Sequence, residues 1–353
     1  MSTPLAALIG AGVCCSLGLD LESSLAAVEA GMSRMVETEL SGIDDPIVVA
    51  ALELLGLDTA RGRRFHWLAG TAYLDLVRRF PTWKQVDLPM IIVGPEPHAD
   101  HDVPRDFMIT HLRELSEVAV PRPVQQFWWP GGRGGWFKAL EHAIALLHGG
   151  APLVLLGAVD SDVDPASLRR LARRNAVLGP RNPQGRIPGE AACFLLLARP
   201  DVPRQIHERP WAWLRACETA VEPRHIMQPR STLAEGLTGL FGRLREAHLG
   251  WRADVVYSCQ PSENFWGREF NMAYLRNPEL IPEPLRVEQL CDELGDCGAA
   301  TPALQLAFAG HRCSRGDALA RALIYGESDD GALGACMIEA GEPIANTHPE
   351  VSR

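Results

Sequence analysis

The chain has 353 residues, a formal net charge of -10, 22% charged residues and 46% apolar residues. That is enough chain for a large core and for two domains or two fused halves, with the composition of a globular protein. The acidic balance excludes a nucleic-acid surface, which needs a concentrated basic face, and no apolar run reaches the roughly 20 residues of a membrane span.

The start, MSTPLAALIGAGV, lacks the basic segment of a secretory leader and reads instead as a strand, so a cytoplasmic location is expected. Nine cysteines, odd in number and scattered without a CxxC pair, read as reduced, mostly buried thiols rather than disulfide or zinc ligands. No metal and no cofactor is expected.

In chain order, residues 5–13 (LAALIGAGV) read as a buried strand, with Gly10 and Gly12 turning the backbone as it leaves. Residues 21–30 are a short helix closed by Gly31, and 33–60 carry no strong signal. Phe65, Leu68, Ala72 and Leu76 give 64–79 helical spacing, and LPMIIVG (88–94) is a second buried strand. His98, Asp100, His101 and Asp102 are metal-capable types close together, but a site there needs further ligands and a rigid loop, and the segment reads instead as a polar, proline-rich surface loop. Residues 118–129 are extended but broken by prolines.

The stretch from Gly131 to Asp160 organises the rest. A glycine-rich turn opens a helix whose Trp136, Leu140, Ala143, Ile144 and Leu147 share one face. A strand at 153–156 follows, then a helix with Asp164 as N-cap and Pro165 at its first position, ending in Arg169, Arg170, Arg173 and Arg174. A loop (179–190) leads to a strand at 191–198, and the proline-rich 200–210 reads as a junction. Beyond it come a strand at 211–217, a helix at 232–248 with a Thr232/Glu235 capping box, a strand at 253–258, and a loop SCQPSENFWGREFN. Thr301 and Pro302 begin the last helix, which Gly310 ends, and strands at 322–325 and 333–339 close the pattern. The order GDCGAATPALQLAFAG, RALIYGESDD, GALGACMIEAGEP repeats the plan of the first half, so the chain reads as an α/β protein with an internal duplication.

These residues resemble the β-ketoacyl-(acyl carrier protein) synthases of the thiolase-like superfamily over nearly the whole length. IGAGVCCSLG is similar to the family's opening strand and turn. GRIPGEAACFLLLARP is similar to its G-F-x-x-G-E-G-A-x-x-L-x-L-E, with Gly185, Gly189, Glu190, Ala191 and Leu195 in register, and LGDCGAATPALQLAFA to its L-G-A-A-G stretch before a helix. The resemblance implies a thiolase-like fold: two βαβαβαββ halves, here 1–205 and 206–353, in an αβαβα arrangement, usually as a dimer. It also implies a cysteine at a helix N-terminus, activated by the dipole and flanked by oxyanion-binding N–H groups, and two histidines. The positions that match this triad are Gly132, Cys259 and Asp292, so all three groups read as replaced.

The expected function is therefore that of a non-catalytic binding or scaffold subunit, a pseudoenzyme, pairing with itself or with a synthase-like paralogue. Chain-length factors of polyketide synthases are such subunits, and similar degenerate chains accompany bacterial type VI secretion effectors. An acyl carrier protein or a secreted effector is then a candidate partner. The alternative is an acyltransferase or condensing enzyme with a relocated nucleophile, for which Cys259 is the candidate. Arg133 and Gly134 are candidates for anion binding at the helix start, against a simple tight turn. Trp128 and Trp129 face opposite sides of a strand and are candidates for an interface or for pocket filling, against simple core packing of both, and Phe265 and Trp266 are candidates to fill a former acyl pocket. Asp292, Glu293 and Asp296 read as a solvated acidic loop, and the Arg169–Arg174 run as either a solvated helix end or a carrier-protein dock.

Overall fold

The computed structural model describes residues 3–43, 45–80, 88–96 and 123–341. It begins with β1 (Ala6–Cys15), α1 (Leu21–Glu29), the short pair β2 (Val36–Thr38) and β3 (Ile47–Val49), and α2 (Arg61–Arg79). Then come β4 (Leu88–Gly94), β5 (Pro123–Pro130), α3 (Gly132–His148), β6 (Leu153–Ser161), α4 (Pro165–Arg173) and β7 (Glu190–Ala198). A single turn, α5 (Val202–Gln205), leads to β8 (Ala212–Val221), α6 (Glu235–Ala247), β9 (Val255–Ser258) and α7 (Asn264–Arg276). The chain ends its described part with β10 (Val287–Gln289), α8 (Cys291–Leu294), α9 (Thr301–Arg315), β11 (Arg321–Glu327) and β12 (Ala332–Ala340).

Ten strands hydrogen-bond in the order β10-β9-β11-β12-β8-β1-β7-β6-β4-β5. Read outward from the β1–β8 seam, the two sides match. On one side β7 is antiparallel to β1 and to β6, and β6, β4 and β5 are parallel. On the other, β12 is antiparallel to β8 and to β11, and β11, β9 and β10 are parallel. At that seam Ala6–Leu8 pair with Ala212–Leu214 in antiparallel register.

The side-chain period of two divides each strand between cores. Leu8, Val154, Leu156, Cys193 and Leu195 from one side, and Tyr257, Ile324 and Ile338 from the other, pack around α3 and α9 in one cluster. The alternate residues Ile9, Leu155 and Phe194 pack outward on α2, while Leu323, Tyr325 and Met337 pack outward on α6 and α7. Helices thus lie outside, between and outside again, five layers in all. Strands buried on both faces explain the continuous apolar runs.

Several local expectations change. Gly10 and Gly12 lie inside β1, not at its exit; a Cβ on Gly12 would come within 2.2 Å of Ala72 O, so the glycine lets α2 lie directly on the strand. Thr232 does not cap α6. Its N-cap is Ala234 at φ +52, Glu222 Oε2 accepts the Gly236 N–H at 2.7 Å, and Thr232 Oγ1 instead donates to Glu269. SCQPSENFWGREFN is largely α7, whose buried Trp266, Glu269, Phe270 and Ala273 include one charged residue that obscured the stripe. The last helix runs past Gly310 to Arg315, because packing against Leu8 and Trp211 outweighs glycine's helix penalty, and Gly316 at φ +77 ends it. Asp164 does cap α4, its Oδ1 accepting from Ala166 and Ser167 N–H. The 98–102 loop lies outside the described residues.

Candidate functional site

β5 ends at Pro130, and α3 starts at the middle of the molecule. Gly132 sits at φ +59. A Cβ on it would come to 2.2 Å from Glu96 Cγ and 2.7 Å from Glu96 Oε1. The residue just beyond β4 therefore lies where any side chain at 132 would go. One turn position on, a Cβ on Gly134 would lie 1.8 Å from Ala332 O. Ser328, in the turn between β11 and β12, accepts the Gly134 N–H at 2.9 Å and donates to Gly131 O at 3.0 Å. The helix start is thus clamped between two loops.

Arg133 is turned inward and only 2% exposed. Its Nε donates to Glu327 O at 2.9 Å, Nη1 to both carboxylate oxygens of Asp296 at 2.9 and 3.1 Å, and Nη2 to Asp329 Oδ1 at 3.0 Å. Arg186 shares the same two aspartates, at 3.3 and 3.2 Å, and pairs with Glu263 at 2.9 Å. Trp266 covers the Arg133 guanidinium at 5.8 Å and donates Nε1–H to Glu263 Oε2. Charges alternate through the cluster, which is how buried ions are retained. Burial works against the charge on Arg133, but Asp296, Asp329 and Glu96 outweigh it and hold the guanidinium protonated. Glu96 accepts the Asp329 N–H with both oxygens, at 3.0 and 3.2 Å. Burial, then Asp329, pushes its carboxyl up to about 8.

Across the cleft, Arg61 binds Ser161 O at 2.7 Å and both Asp160 and Asp162 at 3.1 Å, and Arg170 joins Asp162 at 3.0 Å. Burial raises Asp160 to about 6 against the pull of Arg61. The cavity left between these groups is about 30 Å³, room for roughly one water. Among the described residues its lining includes no thiol and no imidazole.

The expected site residues fall as follows. Arg133 and Gly134 are at the site, but the guanidinium is committed to carboxylates and the Gly134 N–H to Ser328, so neither offers an open anion site. Cys259 ends beyond β9, is buried, and donates its thiol to Gln305 Oε1 at 3.0 Å; burial raises it far above the usual thiol range, so it is no exposed thiolate. Asp292 is exposed on α8, away from the cluster, whereas Asp296, four residues on, is buried within it; the acidic loop is not wholly solvated. Trp129 packs toward the central layer beside His142, and Trp128 toward the outer one, as opposite faces require. Trp266 is buried and Phe265 half-buried, their rings edge to face at 4.9 Å. Arg169 binds Ser41 O from a part-exposed position. The sequence reading missed Glu96, Arg186, Glu263 and Asp329. Charged residues set among glycine and proline, as in GRIPGE and GESDDG, were the available signal.

No protein-family model matches this sequence, and no curated protein does. Solved structures match throughout. Over 96% of this chain and 100% of the other, it superposes with a TM-score of 0.76 and 12% identity on a chain of AntDE:AntF, a type II polyketide synthase acyl carrier protein in complex with its ketosynthase. The ishigamide ketosynthase/chain length factor gives 0.70 and 16% over 95% and 99%. The ketosynthase from module 6 of the bacillaene synthase of Bacillus subtilis 168 gives 0.74 and 9% over 96% of this chain and 72% of that one. The fold is therefore thiolase-like. Within that class its neighbours are ketosynthases and chain length factors.

Proposed function

We propose that this chain is a ketosynthase-fold protein that has lost condensing chemistry and serves as a binding subunit, built of two equivalent halves and paired with itself or with a synthase-like chain. The observation that carries the reading is the closed start of α3. Glu96 fills the space of a side chain at 132, and an arginine–aspartate cluster leaves about 30 Å³ where an acyl group would need to enter. Condensation requires a nucleophile that takes up the acyl group and groups that stabilise the developing carbanion. Guanidinium and carboxylate side chains already saturated by one another supply neither. Two of the similar structures are assemblies, a ketosynthase with its acyl carrier protein and a ketosynthase/chain length factor, which supports a partner of that kind.

The test is intact-protein mass spectrometry after incubation with acyl-CoA and acyl-carrier thioesters, with an ordinary ketosynthase as positive control and Cys259→Ala alongside. No adduct is expected. A stoichiometric acyl adduct, lost in Cys259→Ala, would establish the relocated nucleophile and sink the binding-subunit reading.

A further inference from the structure

Behind the site, three glutamates are buried together: Glu222 just past β8 and Glu269 of α7 and Glu327 at the end of β11, at 0%, 1% and 1% exposure. Glu222 accepts the Gly236 N–H at 2.7 Å. Glu269 accepts the Thr232 hydroxyl at 2.6 Å, and that hydroxyl oxygen accepts the Ala234 N–H. Both carboxyl oxygens of Glu327 are sealed from solvent with no N–H or hydroxyl donor, and its side chain lies in hydrogen-bonding contact with the Glu269 carboxyl. Two ionised carboxylates cannot share such a contact at low cost. A proton shared between the two carboxyls relieves the repulsion of that buried contact. The Thr232 hydroxyl stabilises the ionised form of Glu269 whereas Glu327 has no donor, which favours the proton on Glu327.

We infer that Glu327 and Glu269 form a dyad sharing one proton, and that this dyad latches α7 to the turn between β11 and β12. The Glu327 O–H donates to the Glu269 carboxylate; removing the proton to solvent leaves two anions in contact and pushes the elements apart. The latch matters for the site because both partners reach it. α7 carries Trp266, which covers Arg133, and starts beside Glu263, which pairs with Arg186. Glu327 gives its carbonyl to Arg133 and leads directly to Ser328 and Asp329.

The charged and titratable groups facing the dyad are Glu222 beyond β8, Tyr325 on β11 and Arg133 on α3. Tyr325 is held neutral by burial, despite its bond to Ser258. Burial, then Glu269 and Glu222, raises Glu327 to about 11, with Arg133 opposing. An acid raised on folding binds its proton more tightly in the native state, so its stabilisation is complete below the unfolded value near 4.5 and is lost as pH rises toward 11.

Three readouts test this. Infrared spectra in heavy water at pH 9, where Glu96 is ionised, are expected to show a protonated carboxyl band that Glu327→Gln removes; this band needs no variant to be seen, so absence from the wild type overturns the dyad. Urea unfolding from pH 6 to 10 is expected to show the wild-type unfolding constant rising by up to about tenfold more per pH unit than that of Glu327→Gln. Parallel slopes would overturn it as well. In Glu327→Ala, amide exchange is expected to quicken in α7 and in the 328–331 turn relative to α9; unchanged exchange there would refute the latch.

Discussion

Gly132 is constrained twice, by a left-handed backbone and by the Glu96 carboxyl against its Cα. Placing a cysteine there does not re-arm the fold. Gly132→Cys is expected to cost about 1–3 kcal/mol of stability, from backbone strain and overpacking, and to remain unacylated by thioesters. Urea unfolding and intact mass check the two halves of this statement, and adding Glu96→Ala should recover part of the lost stability. The glycine at the start of α3 was legible in the sequence, because a residue type at a helix start is read directly. The charged cluster around it was not. Arg133, Arg186, Asp296 and Asp329 come from α3, the loop before β7, the loop before α9 and the β11–β12 turn, and only the tertiary fold assembles them. The same limit hid the buried Asp296 within the acidic run 292–296, which reads in the sequence as solvated throughout.

Elements were legible where apolar periodicity is unbroken, as in β4, β6, β7 and α3, and where caps are local, as with Asp164 on α4. α7 was missed because a buried carboxylate, Glu269, interrupts its apolar stripe, and the start of α6 because its Gly236 N–H is served by the distant Glu222. Long-range polar ties also join the elements elsewhere. Glu190 at the start of β7 takes Arg64 Nη1 from α2 at 2.7 Å, the Leu52 N–H at 2.7 Å and the Ser161 hydroxyl at 2.8 Å, with both charged side chains fully buried. Arg64→Met keeps the volume but leaves that carboxylate without a cation, which is expected to cost about 3–5 kcal/mol. Chemical denaturation measures it, and a loss under 1 kcal/mol would show that the two remaining contacts, from Leu52 and Ser161, suffice.

For the whole molecule, the excess of buried carboxyl groups sets the response to pH. Glu96 at about 8 and Asp160 at about 6 both hold protons in the folded state that the unfolded chain releases. Native protons then exceed unfolded ones, so stability falls as pH rises through this range, and Glu327 adds to the trend. His311, lowered by burial, acts in the opposite sense and only near its ordinary value. The melting temperature is expected to decrease from pH 6.5 to 9, and Glu96→Gln to flatten the decrease. The duplicated plan of helices and strands was visible in the sequence, but the register that joins the two sides was not, since it rests on three residue pairs. That seam has a consequence for biosynthesis. β1 occupies the middle of the sheet, yet Ala7 pairs with Ala198 and Ala6 with Leu214. At about 5–20 residues per second of translation, β1 must wait on the order of ten to forty seconds for these partners. A nascent chain stalled before β7 would present an unpaired apolar strand to holdase chaperones, and the emergence of β8, rather than of the first half alone, would mark the first moment at which the centre of the sheet can close.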